Sequence, residues 1–173
     1  MAVLDLKYFG DDVLREASSE IVNLDEEMVQ FARDLIETMH VKKGIGLAAN
    51  QVGRPIRAYA VDPSGIDPEE KAFVIFNPRI IEVSGEQTIE EGCLSFPGLY
   101  ETVTRPEKAI VEGINIDGNP IRLVKEGLYA RILLHEYDHL EGKLFIDHFS
   151  LLKKQLYNRK LKRLKAGELE VFR

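Results

Sequence analysis

Tryptophan is absent from this 173-residue chain, and its one cysteine, Cys93, has no partner for an intramolecular disulfide. A lone thiol fits a reducing compartment, so a cytoplasmic setting is expected. No apolar run approaches the roughly 18 residues that a membrane-spanning helix needs, and no membrane partner is expected. The opening residues, MAVLDLKYFGDD, lack a basic stretch followed by an apolar one, which argues against a secretory signal there. Repeats and low-complexity tracts are missing too. Basic charge is in deficit: 23 Lys and Arg stand against 29 Asp and Glu, a net of -6. Recognition of phosphate needs a basic face, so specific DNA binding by the surface as a whole is excluded from the expected functions. What remains, 45% hydrophobic and 30% charged residues, fits one globular domain able to bury about two thirds of its unfolded surface.

The deficit is uneven. Leu151 to Lys165, LLKKQLYNRKLKRLK, holds seven basic residues and no acidic one, whereas residues 1–150 hold 15 basic and 27 acidic, a net of -12. The expected organisation is therefore an acidic body over 1–149 with a basic C-terminal helix and tail, 150–173, packed on or extending from the same domain.

Hydrophobic spacing predicts a helix over 25–43, where Met28, Phe31, Ala32, Leu35 and Met39 recur every three or four residues and Asp25 stands in a capping position. A glycine-punctuated stretch follows, GIGLAANQVGRP, and then short β-rich runs at 57–61, 72–76, 79–83, 109–116 and 121–124. Asn77-Pro78, Ser84-Gly85 and Asp117-Gly118-Asn119-Pro120 read as turns between them, the last as a hairpin tip. Two more helices are expected, one over 127–141 stopped by Gly142 and a basic one from about Ser150. Helices flanking a block of consecutive strands point to an α+β fold, with antiparallel sheets around a central helix and further helices at the N- and C-terminal ends.

That central helix carries His135-Glu136-Tyr137-Asp138-His139. Residues four apart share a helix face, so both imidazoles can reach one metal ion, while Glu136 sits about 100° round the axis, placed to take a proton from water without being a ligand. The bland alternative is a helix with two surface histidines. A third ligand would decide the chemistry. Metzincin proteases continue the motif as H-x-x-G-x-x-H, and this chain matches as far as Gly142 but has Phe145 at the last position. A distant glutamate ligand would have to come from Glu168 or Glu170 on the tail, a poor route into a buried site. Cys93 is the better candidate, because a thiolate with two imidazoles makes a three-protein-ligand set that leaves a position open. As an isolated residue, it could equally be a small buried hydrophobe.

Three segments in order, Gly44-Ile45-Gly46-Leu47-Ala48-Ala49-Asn50-Gln51, Glu91-Gly92-Cys93-Leu94-Ser95 and His135-Glu136-Tyr137-Asp138-His139, resemble the three motifs of the peptide deformylase family, G-x-G-x-A-A-x-Q, E-G-C-L-S and H-E-x-x-H. The similarity spans nearly the whole chain and extends to the C-terminal helix of the bacterial type 1 enzymes. It implies that Cys93, His135 and His139 hold one divalent metal, Fe(II) in the cell, with zinc, nickel or cobalt as alternatives in purified protein. It implies further that Glu136 is the general base, that the Gln51 amide and the Leu94 backbone N–H stabilise an oxyanion, and that the substrate is an N-formyl-methionyl peptide. Ile45, Gly46 and Gly92 would offer main-chain hydrogen bonds, and Leu128 and Ile132, on the His135 face, would line a pocket for the methionine side chain, although as bare sequence they read equally as core. Glu91 is expected to pair with Arg105 and so hold Cys93. His40 and His148 read as surface or packing histidines.

Two other functions remain open at this level: a metalloprotease, and a non-catalytic zinc-stabilised binding module. For the basic helix, one reading docks Leu152, Leu156 and Leu161 on the body; the resemblance implies instead that the helix docks on the ribosome.

Overall fold

The computed structural model describes residues Met1–Arg173. Asp25 caps the first helix, accepting from the Met28 N–H at 3.0 Å, and α1 runs Glu26–Val41. Met28, Phe31, Ala32, Leu35 and Met39 are all buried, as their spacing predicts. Seven strands follow: β1 Gly46–Ala48, β2 Ala58–Val61, β3 Phe73–Ser84, β4 Gln87–Cys93, β5 Phe96–Arg105, β6 Lys108–Ile114 and β7 Pro120–Glu126. The helices α2, Gly127–Leu140, and α3, Leu151–Lys165, complete the chain's regular elements, with short 3-10 turns at Asp12–Arg15, Ala49–Val52 and Phe145–His148.

Five strands form one sheet in the order β1-β2-β3-β6-β7, and β4 pairs with β5 separately. Every named pairing is antiparallel. The apolar β2 sequence, AYAV, is buried at all four positions because both faces of the sheet are covered. Ala58 and Ala60, with Val74 and Phe76 of β3, pack toward α1; Tyr59 and Val61, with Ile75, pack toward α2. Alternation survives as a choice of helix rather than of core against solvent. A third cluster joins β5, the Phe145–His148 turn, α3 and Leu14.

Two expectations need correction. Asn77-Pro78 does not separate two strands: β3 runs through it with a register shift between Phe76 and Arg79. Asn77 adopts φ +48, and its side chain pairs with Ile21, accepting from the N–H at 2.8 Å and donating to the carbonyl at 2.8 Å. The asparagine therefore makes a bulge that binds a neighbouring segment, not a turn. In α3, Leu161 and Leu164 are buried, but Leu152 and Leu156 are 76% and 70% exposed. The inward stripe is Tyr157, Leu161 and Leu164, one helical face at i, i+4, i+7 spacing that the 152–156 pair does not share.

The β4–β5 hairpin had no sequence expectation. Its β4 sequence, QTIEEGC, is mostly polar, and β5 has Pro97 and Gly98 near its start with its β-branched run, Thr102-Val103-Thr104, confined to the end, so neither run shows sustained apolar alternation along its length.

Candidate metal centre and active site

Helix α2 lies against the sheet, in contact with β1, β2, β6 and β7. It stops where the sequence predicts: Gly142, at φ +71, donates to the His139 carbonyl at 3.1 Å, and Lys143 N–H to the Asp138 carbonyl at 2.9 Å, a Schellman closure. Asn50 Nδ2 donates to the same His139 carbonyl at 2.6 Å, tying the motif helix to the 3-10 turn that carries Gln51. Cys93 is the last residue of β4, before the two-residue turn Leu94-Ser95. The three ligand atoms offered by Cys93, His135 and His139 lie within 4.8 Å of one another, with Cys93 Sγ 3.4 Å from His139 Nε2.

The electrostatics of this trio suit a cation. Burial works against a charged His135, but the neighbouring Cys93 and Glu91 outweigh it and lift the imidazole to about 10. Burial, and then the charge on His135, drives His139 well below its ordinary value. A cysteine sulfur and two imidazole nitrogens converging within 4.8 Å are the donor set that a soft divalent ion takes, so the residues fit the metal. Glu91 orients the set. Its carboxylate accepts from His135 Nδ1 at 2.7 Å and from Arg105 at 2.6 and 3.0 Å. Burial would raise this carboxyl, yet the bonds from His135 and Arg105 hold it well below the usual carboxylate range.

Glu136 is 4% exposed, and burial pushes its carboxyl up to about 7. A Cβ on Gly46 would lie 2.6 Å from Glu136 Oε1, so this glycine of β1 is what allows the carboxylate its position. Gln51, buried, accepts from the Ala48 N–H at 2.9 Å and donates through Nε2 to Ser95 Oγ at 3.1 Å, with Cys93 Sγ at 3.5 Å. The amide thus points at the ligand loop, not into solvent. Ser95 is held in turn through its hydroxyl to the Lys7 carbonyl at 2.8 Å, and the Lys7 N–H donates to the Gln51 carbonyl at 2.7 Å.

A cleft of about 690 Å³ opens over these groups. Gly44, Ile45 and Gly46 line it at the start of β1, Glu90 to Leu94 at the end of β4 and the turn after it, and Leu128, Arg131, Ile132, His135 and Glu136 from α2. Ile132 is buried and Leu128 43% exposed. Gly92 lies under the Tyr100 ring, where a Cβ would come within 2.5 Å of Cε1.

A family model for polypeptide deformylase matches residues 3–155. A peptide deformylase of Syntrophobacter fumaroxidans is 41% identical over 163 residues, 94% of this chain and 96% of that one. The chain belongs to the polypeptide deformylase family. Among solved structures, a peptide deformylase from Legionella pneumophila matches with TM-score 0.86 and 41% identity, covering 96% of this chain and 99% of that one. A Synechococcus elongatus peptide deformylase in complex with actinonin matches with TM-score 0.85 and 37% identity, covering 98% and 91%. Membership makes this protein an enzyme, a metal-dependent hydrolase that removes the N-terminal formyl group of nascent polypeptides and releases formate.

Seen as a deformylase site, the protease alternative loses its ligands. Phe145, at the position of the third metzincin histidine, packs between Phe96 and Phe149 at centroid distances of 5.1 and 5.3 Å. Glu170 does reach the cleft rim, against expectation, yet the convergent ligand group is Cys93, His135 and His139 alone. The expected Glu91–Arg105 pair forms, but what Glu91 grips directly is His135, not Cys93. Three participants were not foreseen. Arg131, 2% exposed, pairs with Glu91 and donates to the Gln87 carbonyl at 2.9 Å. Asp138 accepts from Arg105 Nη1 at 2.8 Å and lies 2.7 Å from His148 Nε2. Arg131 sits four residues before His135 on the same face, the one signal that could have marked it. No helix is long and apolar enough to cross a membrane.

Proposed function

We propose that this deformylase works on N-formyl-methionyl peptides with Cys93, His135 and His139 as ligands of one Fe(II) ion, in the cytoplasm. The observation that carries the reading is the approach of those three donor atoms to within 4.8 Å of one another, two of them, on Cys93 and His135, belonging to residues that line the cleft together with Glu136. When bound, the ion supplies a Lewis acid that polarises the formyl carbonyl and acidifies water. Glu136, buried and with a raised carboxyl pKa, takes a proton from the attacking water and passes it to the leaving amine. Gln51 Nε2 and the Leu94 N–H, which has no acceptor in the protein, donate to the developing oxyanion, each contribution being about 3 kcal/mol. Leu128 and Ile132 accept the methionine side chain.

Substrate backbone binds by strand addition. In the five-stranded sheet β1 is an edge, and β4 has β5 as its only partner, so both cleft walls present a strand edge to an extended peptide. Ile45, Gly46 and Gly92 supply main-chain groups on those edges. Residues 1–149 form the catalytic body and 150–173 a basic arm packed on it, whose exposed face docks on the ribosome.

Formate release from formyl-Met-Ala-Ser by protein prepared without air, with metal analysis of the same sample, tests this reading. Fe(II) with turnover is expected, followed by loss of activity in air that Ni(II) substitution prevents, since the thiolate and ferrous iron are both open to oxidation. Equal air stability of the iron and nickel forms would count against iron, and absence of formate against the activity.

A further inference from the structure

One wall of the cleft has no part in the chemistry above. After α3 the chain reverses at Gly167, φ +102. Glu168 then accepts from Arg163 Nε at 2.9 Å and Nη2 at 2.6 Å, and the Arg173 N–H closes a turn onto the Glu170 carbonyl at 3.1 Å. Phe172 anchors that turn. Its ring meets Tyr157 edge-on at 6.0 Å, and its backbone lies against Gly98, where a Cβ would come within 3.1 Å of the Phe172 carbonyl. With Phe172 turned into the core cluster, Leu169, Glu170 and Arg173 are left exposed, and all three line the same cleft as Cys93, His135 and Glu136.

We propose that Leu169, Glu170 and Arg173 are specificity-determining residues that contact the substrate peptide beyond its first residue. The inference rests on the deformylase reading and adds a selection that the metal centre cannot make. An extended peptide advances about 3.3 Å per residue, so a chain whose first carbonyl is at Glu136 carries its next side chains toward the cleft rim. There the tail presents one apolar side chain, one carboxylate and one guanidinium. Arg173 favours an acidic side chain at the second or third residue, Glu170 disfavours it, and Leu169 gives apolar contact to either. Exposed single charges change such preferences by about two- to fivefold.

The test uses the full-length, metal-loaded enzyme and compares kcat/KM for formyl-Met tripeptides with Asp or Lys at the second or third position, each normalised to formyl-Met amide. Arg173→Glu is expected to lower the Asp-to-Lys ratio two- to fivefold and Glu170→Lys to raise it, both shifts shrinking as salt is added. Leu169→Ala is expected to narrow the advantage of tripeptides over formyl-Met amide through KM. None of these substitutions replaces Phe172 itself, and Arg173→Glu keeps the Cγ that packs beside Gly98. Unchanged ratios in both charge variants overturn the proposal, and so does an equal loss on every substrate including formyl-Met amide, which assigns the tail a structural role. If wild-type enzyme releases no formate from any of these formyl-Met substrates, the deformylase reading fails and the inference fails with it, a result distinct from unchanged ratios.

Discussion

Gly46 and Glu136 show how closely one residue's chemistry depends on another's lack of a side chain. A methyl group at Gly46 would meet Glu136 Oε1 at 2.6 Å and Cγ at 2.9 Å, and Gly46 is not among the residues at positive φ, so Gly46→Ala is tolerated by the backbone while pushing the carboxylate aside. Turnover should fall by about a hundredfold, as expected when a catalytic group is displaced by an ångström, with a melting temperature near that of the wild type; full activity would show that the carboxylate has room to move. Glu136→Ala is expected to keep metal and fold and to lose turnover by orders of magnitude, since general acid–base catalysis contributes about 10²–10⁴. Unchanged turnover would remove Glu136 from the mechanism. Arg105 tests the layer behind the ligands. Arg105→Ala frees one side of Glu91 and leaves Asp138 without its arginine, so metal affinity should drop about 10–100-fold by competition against a chelator. Affinity at the wild-type level would assign the orientation of His135 to Arg131 alone. The sequence made the ligand trio and Glu136 legible because helix periodicity and ligand chemistry are local properties. Arg131 and the Asp138–His148 pair were not, because their roles exist only once Glu91 of β4 and Arg105 of β5 meet side chains of α2.

At the scale of elements, what was legible followed periodicity and burial. Helices α1 and α2 bury residues at helical spacing and end in recognisable caps, so their limits fell within two residues of expectation. Strands β4 and β5 carry polar residues on an exposed face and hid for that reason. Attachment of α3 was equally hidden, because it is largely polar. Glu101 of β5 accepts from Tyr157 Oη at 2.7 Å and lies 3.1 Å from Lys153 Nζ. Bonds from Tyr157, the Thr102 N–H and Lys153 hold its carboxyl down at about 2. A depressed carboxylate contributes stability that is present above its ordinary pKa and lost as pH falls through the folded value. In urea denaturation, Glu101→Gln should therefore cost about 1 kcal/mol at pH 7, and the gap to wild type should narrow between pH 4.5 and about 2. A gap that persists unchanged to pH 2 would place the tether elsewhere.

For the whole molecule, charge and packing pull residues 150–173 in two directions. Seven basic side chains in α3 oppose a body of net -12, yet Leu161 and Leu164 are part of the core and the tail reaches the cleft. Removal of everything after Ser150 would expose that core and strip a wall from the cleft, so truncation cannot separate the proposed ribosome docking from folding. Surface charge reversal can. Lys154, Arg159 and Lys162 are exposed, and none makes an ion pair or side-chain hydrogen bond within the protein. Replacing all three with Glu should leave formate release from formyl-Met-Ala-Ser near the wild-type rate and weaken ribosome co-sedimentation at least tenfold at low salt. Each phosphate-neutralising cation contributes about one unit to the slope of log affinity against log salt, so the triple variant should also flatten that slope by about three. Exposed Leu152 and Leu156 share a face with Arg159, and Leu152→Ser with Leu156→Ser should weaken the same binding without altering its salt slope. Binding undiminished in both sets would mean that the basic arm is a solvated surface, and that the enzyme meets nascent chains through its cleft alone.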